Sequence, residues 1–382
     1  MSAPTLLHLC TPAEWRAALA DGALGISGAA GRSLTASGFV HLSTSEQVSL
    51  PANRLFAGRH DLVLLAVDAG RIADLRWEPG LPDDPADMVF PHAYGPVPTG
   101  AVLAALPYRP GPDGTFVAPS PPPPRVDART RRDAMAYSVL RRLATAEHTV
   151  TGGTAVLTGP VPASHQHNQL LLDGPVGAPQ VIAEADRVLG GAGLAHRAAT
   201  VRGADAAATA AELARHGWEV DHVVSMVTTP SGEVPRHRVQ AERALPSELR
   251  PFWEASWLRA APGLTEAQRA QLCDRHELED DVVDVHAMVV REHGLVVACC
   301  LLKVDGATAE LDAVETAPSH RGRGLGDALL AGALREAHRA GCDLVWLDAD
   351  ARDWPREWYR RRGFGEVGES WFCRLPAAAP AS

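Results

Sequence analysis

"SHRGRGLGDALLAGALREAHRAG", residues 319–341, opens as a poor helix and continues as a good one. Gly322, Gly324 and Gly326 stand at its mouth, although glycine is the weakest helix former after proline. From Asp327 onward alanine and leucine dominate. The first turn of a helix leaves N–H groups unpaired and carries a partial positive charge, so it can hold an anion. Glycine lets a phosphate approach the backbone closely. Arg321 and Arg323 add fork-shaped donors. The bland reading is an ordinary turn with solvated arginines.

The stretch follows a strand, as an anion site of this kind requires. It is not a Walker loop, because no Lys-Ser/Thr follows the glycines. Nor does Arg321-Gly-Arg-Gly324-Leu-Gly326 have the GxGxxG spacing of a dinucleotide fingerprint.

Upstream, "VDVHAMVVRE" (283–292), "GLVVACCLLKVDG" (294–306) and "TAELDAVETAP" (308–318) read as three strands in meander order. Downstream come the strand "CDLVWLDAD", the helix "WPREWYRRRG" and the strand "EVGESWFCRL". An earlier region has the same order: strands at 154–161 and 167–174, a helix at 178–193, a strand, a helix at 205–217 and a strand. "LARHGWEVDHVVSMV" (213–227) and "YRRRGFGEVGESWFC" (359–373) share helix end, basic residue, Gly, aromatic and strand. Two similar α/β units are expected, or two unrelated units that end alike. "DGPVGAPQVIAEA" stands in the first where "SHRGRGLGDALL" stands in the second, so only the second keeps the loop.

"YRPGPDGTFVAPSPPPPRVDART" (108–130) holds four consecutive prolines and reads as a stiff linker. The expected division is a small domain at 1–108, a linker at 109–130, and α/β units at 131–232 and 233–376. In the small domain, Thr11 as N-cap, Pro12 and Gly22 bound a helix. Residues 60–69 and 100–108 read as strands.

The chain has 382 residues, 46% apolar and 21% charged, enough for full cores. A net charge of −10 argues against wholesale attraction to nucleic acid or an anionic membrane. Of 36 basic residues only Lys303 is lysine, which reads as the coding bias of a GC-rich genome. Six cysteines without CxxC spacing suggest neither a zinc site nor a disulfide framework. There is no signal-peptide pattern and no run long enough to span a bilayer. A cytoplasmic, reducing setting is expected.

Arg321-x-x-Gly324-x-Gly326 after "LDAVETAP", with "WYRRRGF" (358–364) beyond, resembles the GNAT superfamily of acetyl-CoA-dependent N-acetyltransferases over residues 236–375. The unit before it resembles a degenerate copy. The resemblance implies tandem mixed sheets flanked by helices, with acetyl-CoA as co-substrate. It implies that Val314 and Thr316 offer peptide groups to the pantetheine arm. Arg321, Gly322, Arg323, Gly324, Gly326 and Asp327 would then surround the pyrophosphate. Tyr359 would be the general acid; its alternative role is packing.

A base must take a proton from an amine, which arrives as ammonium. Glu310, Asp312, Glu315, Asp348 and Asp350 are the candidates. Alternation puts Glu310 and Asp312 on one face and Glu315 on the other, unless a bulge intervenes. Glu315 is the expected base, with a solvated side chain as the alternative. Asp348 and Asp350 either hold a cationic substrate or cap a turn. His286 and His293 lack ligand spacing and read as structural. Phe252, Trp253, Trp257 and Leu258 either wall an acceptor pocket or belong to a core.

"GFVHLSTSEQV" (38–48), "NRLFAGRHDLVLLAVD" (53–68), "LRWEP" (75–79) and "FPHAYGPVP" (90–98) resemble a bacterial family known as domain of unknown function 952. That resemblance implies an ADP-ribosyltransferase-like α+β fold. His41 and Ser43 would lie where a nicotinamide dinucleotide binds, with Glu78, His92 and Tyr94 opposite; the alternative is a polar turn cluster without catalysis. The expected activity is transfer of acetyl to a small-molecule or peptide amine, with no nucleic-acid or membrane partner. The other reading is an acyl-CoA-binding sensor or scaffold whose first domain binds a partner or acts on NAD.

Overall fold

The computed structural model describes residues 4–28, 33–80, 88–120, 123–124, 126–232 and 239–375. In the first domain, strand β1 (Thr5–Cys10) leads into helix α1 (Pro12–Asp21). Thr11 caps that helix reciprocally: its Oγ1 accepts from the Glu14 amide and Glu14 accepts from the Thr11 amide at 2.7 Å. Gly22 ends it at φ 76°. Then follow β2 (Ala23–Leu24), α2 (Leu34–Ser37), β3 (Val40–His41), α3 (Ser49–Leu55), β4 (Leu62–Asp68), β5 (Leu75–Pro79), β6 (Val89–Ala93), β7 (Val97–Pro98) and β8 (Val102–Tyr108). They form antiparallel sheets β1-β4-β8, β3-β6-β5 and β2-β7.

Part of the segment expected as linker belongs to this domain. Phe116 is buried in its core, and the Tyr108 hydroxyl donates to the Val117 carbonyl at 2.7 Å. The linker also ends early, because helix α4 (Ala128–Leu143) starts inside it with Asp127 as N-cap.

After α4 come β9 (Ala146–Val150), β10 (Gly153–Leu157), β11 (Gln169–Leu172), α5 (Ala178–Ala185), β12 (Arg197–Val201), α6 (Ala206–Arg215) and β13 (Glu219–Thr228). The second unit has β14 (Glu242–Ala244), α7 (Arg250–Ala260), α8 (Glu266–Asp280), β15 (Asp284–Glu292), β16 (Leu295–Asp305) and β17 (Thr308–Thr316). It ends with α9 (Leu325–Arg339), β18 (Leu344–Asp350), α10 (Trp354–Arg360) and β19 (Gly365–Leu375). The strand expected at 236–243 overlaps β14 only at its end, and residues 233–238 lie outside the described residues.

The shared basic-Gly-aromatic shape is a helix stop used twice. Gly217 (φ 85°) ends α6 and Gly363 (φ 89°) ends α10. In each, the next amide reaches back five residues, Trp218 to Leu213 and Phe364 to Tyr359. Trp218 and Phe364 are both buried.

The two units share one sheet of eleven strands, in the order β14-β15-β16-β17-β18-β13-β19-β12-β11-β10-β9. Their last strands are exchanged. β13 lies between β18 and β19, while β19 lies between β13 and β12. Each unit keeps an antiparallel meander followed by one parallel pair, β11 with β12 and β17 with β18. One face of the second unit carries α9 and α10; the other carries α4, α7 and α8.

The first domain docks on the β16–β17 turn. Trp15 Nε1 donates to Asp305 at 2.8 Å, and Arg142 of α4 bonds the other oxygen of that buried carboxylate. The Ala307 amide donates to the Val102 carbonyl at 2.7 Å. A Cβ on Gly100 would lie 2.8 Å from the Gly341 carbonyl, so only glycine fits there. All six cysteines are buried and free.

Candidate active site

The site begins with a strand that bends. Leu301 pairs with Asp312 but Cys299 pairs with Glu315, so β17 spends three residues where β16 spends two. Ala313 takes up the extra residue at φ 52°, a left-handed conformation that costs a non-glycine residue about 1–3 kcal/mol. β17 and β18 pair only from Thr308 to Glu310. Beyond Glu310 they part and leave a fork. The Ala317 amide bonds Val297 on β16, which puts Glu315 in the same phase. The peptide groups of Val314 and Thr316 therefore face the open side.

The bulge also corrects the expected faces. Glu315 falls on the same side as Glu310 and Asp312, towards α7 and α8. Its carboxylate accepts from Ser256 at 2.6 Å and from Arg259 at 3.3 Å, tying α7 to the strand. Glu310 and Asp312 instead lie at the fork with Lys303, whose Nζ is 3.5 Å from Glu310 and 2.7 Å from Asp312. Burial pushes the Glu310 carboxyl up from the ordinary range. Burial acts on Asp312 too, but Lys303 more than offsets it and holds that group down.

The loop after β17 turns left-handed twice, at Gly322 (φ 74°) and Gly324 (φ 77°). A Cβ at either position would meet nothing within 4 Å. The N–H groups of residues 322–327 have no partner among the described residues. Gly326 serves packing instead. A Cβ there would sit 3.3 Å from the Trp358 ring, so its absence lets α9 close on α10. The Asp327 side chain pairs with Arg362, whose guanidinium lies 4.0 Å over Trp358. Arg321 Nε donates to the Thr316 carbonyl at 3.3 Å, bracing the loop against its strand. Arg323 donates twice to Glu292, at 2.7 and 3.1 Å. Those bonds hold the Glu292 carboxyl down at about 2, with help from His320.

Tyr359 is buried on α10, with its ring edge-on to Trp358 and Phe364. Its hydroxyl has no hydrogen-bond partner among the described residues. Burial raises its pKa first, then nearby Cys300 and Asp312. Cys300 stands opposite the bulge, so the phenol lies at the level of the fork.

Other candidates resolve into structure. Asp348 accepts from Arg132 of α4 at 2.6 Å and from Ser225 at 2.8 Å. Asp350 caps the following turn through the Arg352 amide. His286 sits between Asp284 and Glu336, and His293 occupies the β15–β16 turn at φ 51°. Phe252 and Trp253 are core, Trp257 packs at its edge and Leu258 is exposed. Among the described residues no cluster could hold a metal ion. Lys303 and Arg132 were missed as site residues; the lone lysine was the available signal.

The first unit lacks an equivalent fork mouth. Where the second has its glycine loop, the Asp173 and Gly174 amides both donate to the Gly152 carbonyl, and a Cβ on Gly174 would come within 3.2 Å of Gly152 Cα. The β9–β10 turn fills the position.

In the first domain, Glu78, His92 and Tyr94 come together. His92 Nδ1 lies 2.7 Å from Glu78, which also accepts from the Tyr94 hydroxyl at 3.0 Å. Phe39 stacks on His92 at 4.1 Å, and His41 meets it edge-on at 5.0 Å. Ser43 is spent on strand-like bonds with Leu7.

Residues 243–364 match the acetyltransferase (GNAT) family, and residues 9–105 match DUF952, a protein family of unknown function. The C-terminal α/β unit is thus similar to the GNAT acetyltransferases over residues 243–364. A functionally unknown conserved protein from Staphylococcus epidermidis shares the fold at TM-score 0.51 and 13% identity, over 62% of this chain and 94% of its own. A GCN5-related N-acetyltransferase from Kribbella flavida aligns at TM-score 0.47 and 17% identity, over 66% and 98%. Protein CC0527 from Caulobacter crescentus is 32% identical over 30% of this chain and 93% of its own, at TM-score 0.26. No curated protein matches the chain by sequence. The Staphylococcus match covers more of this chain than either α/β unit alone. No helix among the described residues is long and apolar enough to cross a membrane.

Proposed function

We propose that the C-terminal unit moves an acetyl group from acetyl-CoA to an amine by direct attack. The observation that carries this reading is the β17–β18 fork lying beside a glycine loop with six amides unpaired among the described residues. Amides 322–327 would hold the pyrophosphate at the start of α9. The peptide groups of Val314 and Thr316 would run along the pantetheine arm. Acetyl-CoA supplies an activated acyl carbon on a sulfur leaving group.

The residues divide the proton work. Glu310, partly buried at the fork, is the better base than Glu315, whose carboxylate is tied to Ser256 and Arg259. A carboxyl pushed upward suits a base that must work near neutral pH. It takes one proton from the ammonium, and the amine nitrogen then bonds the acyl carbon. The adduct nitrogen gives its second proton to solvent, and as the carbon–sulfur bond breaks Tyr359 gives its proton to the sulfur and regains one from solvent, while Glu310 releases the first. The amide, the free thiol and one released proton balance the reaction.

A thiol-release screen over small amines, aminoglycosides and peptides, with calorimetry for acetyl-CoA, tests this. Turnover that falls in Glu310→Gln and Tyr359→Phe supports it. Acetyl-CoA binding without thiol release from any acceptor would favour the scaffold reading. No binding at millimolar acetyl-CoA would end both.

A further inference from the structure

Thirty-six residues are lysine or arginine, yet Lys303 alone is lysine, and it is buried to 1% exposure. Its Nζ donates to Glu279 of α8 at 3.0 Å and to Asp312 of β17 at 2.7 Å, with Glu310 at 3.5 Å. One compact ammonium with three rotatable donors suits three carboxylates arriving from different directions. A planar guanidinium does not.

The chain of contacts continues out of the C-terminal unit. Glu279 is 2% exposed, and its second oxygen takes the His276 Nδ1 hydrogen at 2.7 Å. Its first oxygen faces His167 Nε2 at 3.4 Å. His167 belongs to the other unit, in the turn between β10 and β11, and is fully buried. The Ser164 hydroxyl is 2.8 Å from Nδ1; when it donates there, the ring hydrogen sits on Nε2, facing Glu279. Nε2 makes no hydrogen bond among the described residues, so the 3.4 Å approach to Glu279 is an ion-pair distance and the only link it makes to that carboxylate. Asn168 fixes the turn through Thr158, Val161 and Ser164, and the Ala163 amide bonds Gln271 of α8 at 3.0 Å.

We propose that Lys303 and Glu279 are positioning residues for the fork carboxylates, and that the first unit completes the second unit's site through His167. The inference rests on the acetyl-transfer reading for its purpose, not for its contacts. Lys303 keeps Asp312 ionised and leaves Glu310 as the group that gains and loses the proton. Burial and the neighbouring carboxylates push Glu310 up, and Lys303 limits the rise. Arg275 of α8 also faces Asp312, and Asp348 of β18, held by Arg132, faces Glu310. The first unit, having no glycine loop, is thereby retained as part of the catalytic assembly.

The lone lysine makes the test direct. Nζ-15N labelling of lysine in the full chain gives one ammonium resonance, readable without turnover. It should shift in a single step as Glu310 titrates, and the step should vanish in Glu310→Gln. In Glu279→Gln the lost carboxylate frees Lys303 to lean on Glu310, and the step should move down by about half a pH unit or more. In His167→Ala the Glu279 oxygen that both groups face turns wholly to Lys303, Glu310 loses part of its cation, and the step should move up. His167→Gln, whose Nε2 can donate from the same place, should return it to the wild-type pH. Far-UV circular dichroism excludes misfolding, and if Glu279→Gln fails to fold, the His167 pair decides alone. A step at the wild-type pH in His167→Ala removes the first unit from the assembly. A lysine resonance with no step removes Lys303. A step that behaves as described in a protein without acetyl transfer would sink the activity and leave the network standing.

Discussion

Replacing Gly324 by alanine separates backbone strain from ligand contact. Gly324 has φ 77° and ψ 12°, and a Cβ there would meet nothing within 4 Å. The cost to folding is therefore conformational. A left-handed non-glycine residue loses about 1–2 kcal/mol, and the stiffer unfolded chain returns about 0.4–1. The net loss of about 1 kcal/mol lowers Tm by about 2–4 °C at most for a chain of this size. Binding should suffer far more. If phosphate oxygens occupy the open space beside amides 322–327, a methyl group displaces them from two charge-assisted hydrogen bonds. Each is worth about 1.5–3 kcal/mol, so acetyl-CoA affinity should fall about a hundredfold or more. Gly217→Ala is the control: its φ is 85°, its Cβ also meets nothing, and it caps α6 in the first unit. Calorimetry with acetyl-CoA and thermal melts of both variants give the answer. Equal melting losses with a binding loss only at Gly324 are expected. Affinity within threefold of wild type in Gly324→Ala would refute the placement of the pyrophosphate.

Tyr359→Phe should lower kcat of thiol release about a hundredfold while acetyl-CoA affinity stays within twofold, because the phenol acts on the leaving sulfur and not on the phosphates. A pure packing role would leave kcat unchanged. Asp305→Ala strands the buried Arg142 guanidinium and the Trp15 indole together, at a cost of about 3–5 kcal/mol in urea unfolding; a loss under 1 kcal/mol would show that this junction is not what docks the first domain. Asp343 is desolvated, but Arg131 and Arg71 more than offset that and hold its pKa below the ordinary value. Its stabilisation is present above about pH 4 and fades as pH falls through the lowered value. Asp343→Asn should therefore differ from wild type at pH 7 and converge with it in acid; a constant gap would contradict this linkage.

The glycine loop was legible because its residues do their work locally: Gly322 and Gly324 adopt backbone angles that few other residues tolerate. The doubled Gly-aromatic stop was legible for the same reason. Whether a bulge intervened was left open by the residues, since Ala313 carries no sign of a left-handed turn, and only strict alternation without it puts Glu315 on the face away from Glu310 and Asp312. Helix α4 hid behind the prolines at 121–124, although Asp127 and the apolar positions 135, 139 and 140 gave it a cap and a stripe. Phe116 read as linker because one aromatic has no period. Lys303 was read as a coding accident, because burial is a property of the assembled sheet. The exchange of β13 and β19 has no local signature at all; it depends on which edge each strand meets last.

That exchange bears on how the protein is made. β13 leaves the ribosome early, but both of its neighbours, β18 and β19, lie at the far end of the message. At ordinary elongation rates the nascent chain waits roughly ten seconds for them, with a long strand unpaired on both sides. A translational pause or a premature stop in that interval would leave a strand able to pair with a neighbouring copy, and any chaperone dependence of this protein should be greatest there.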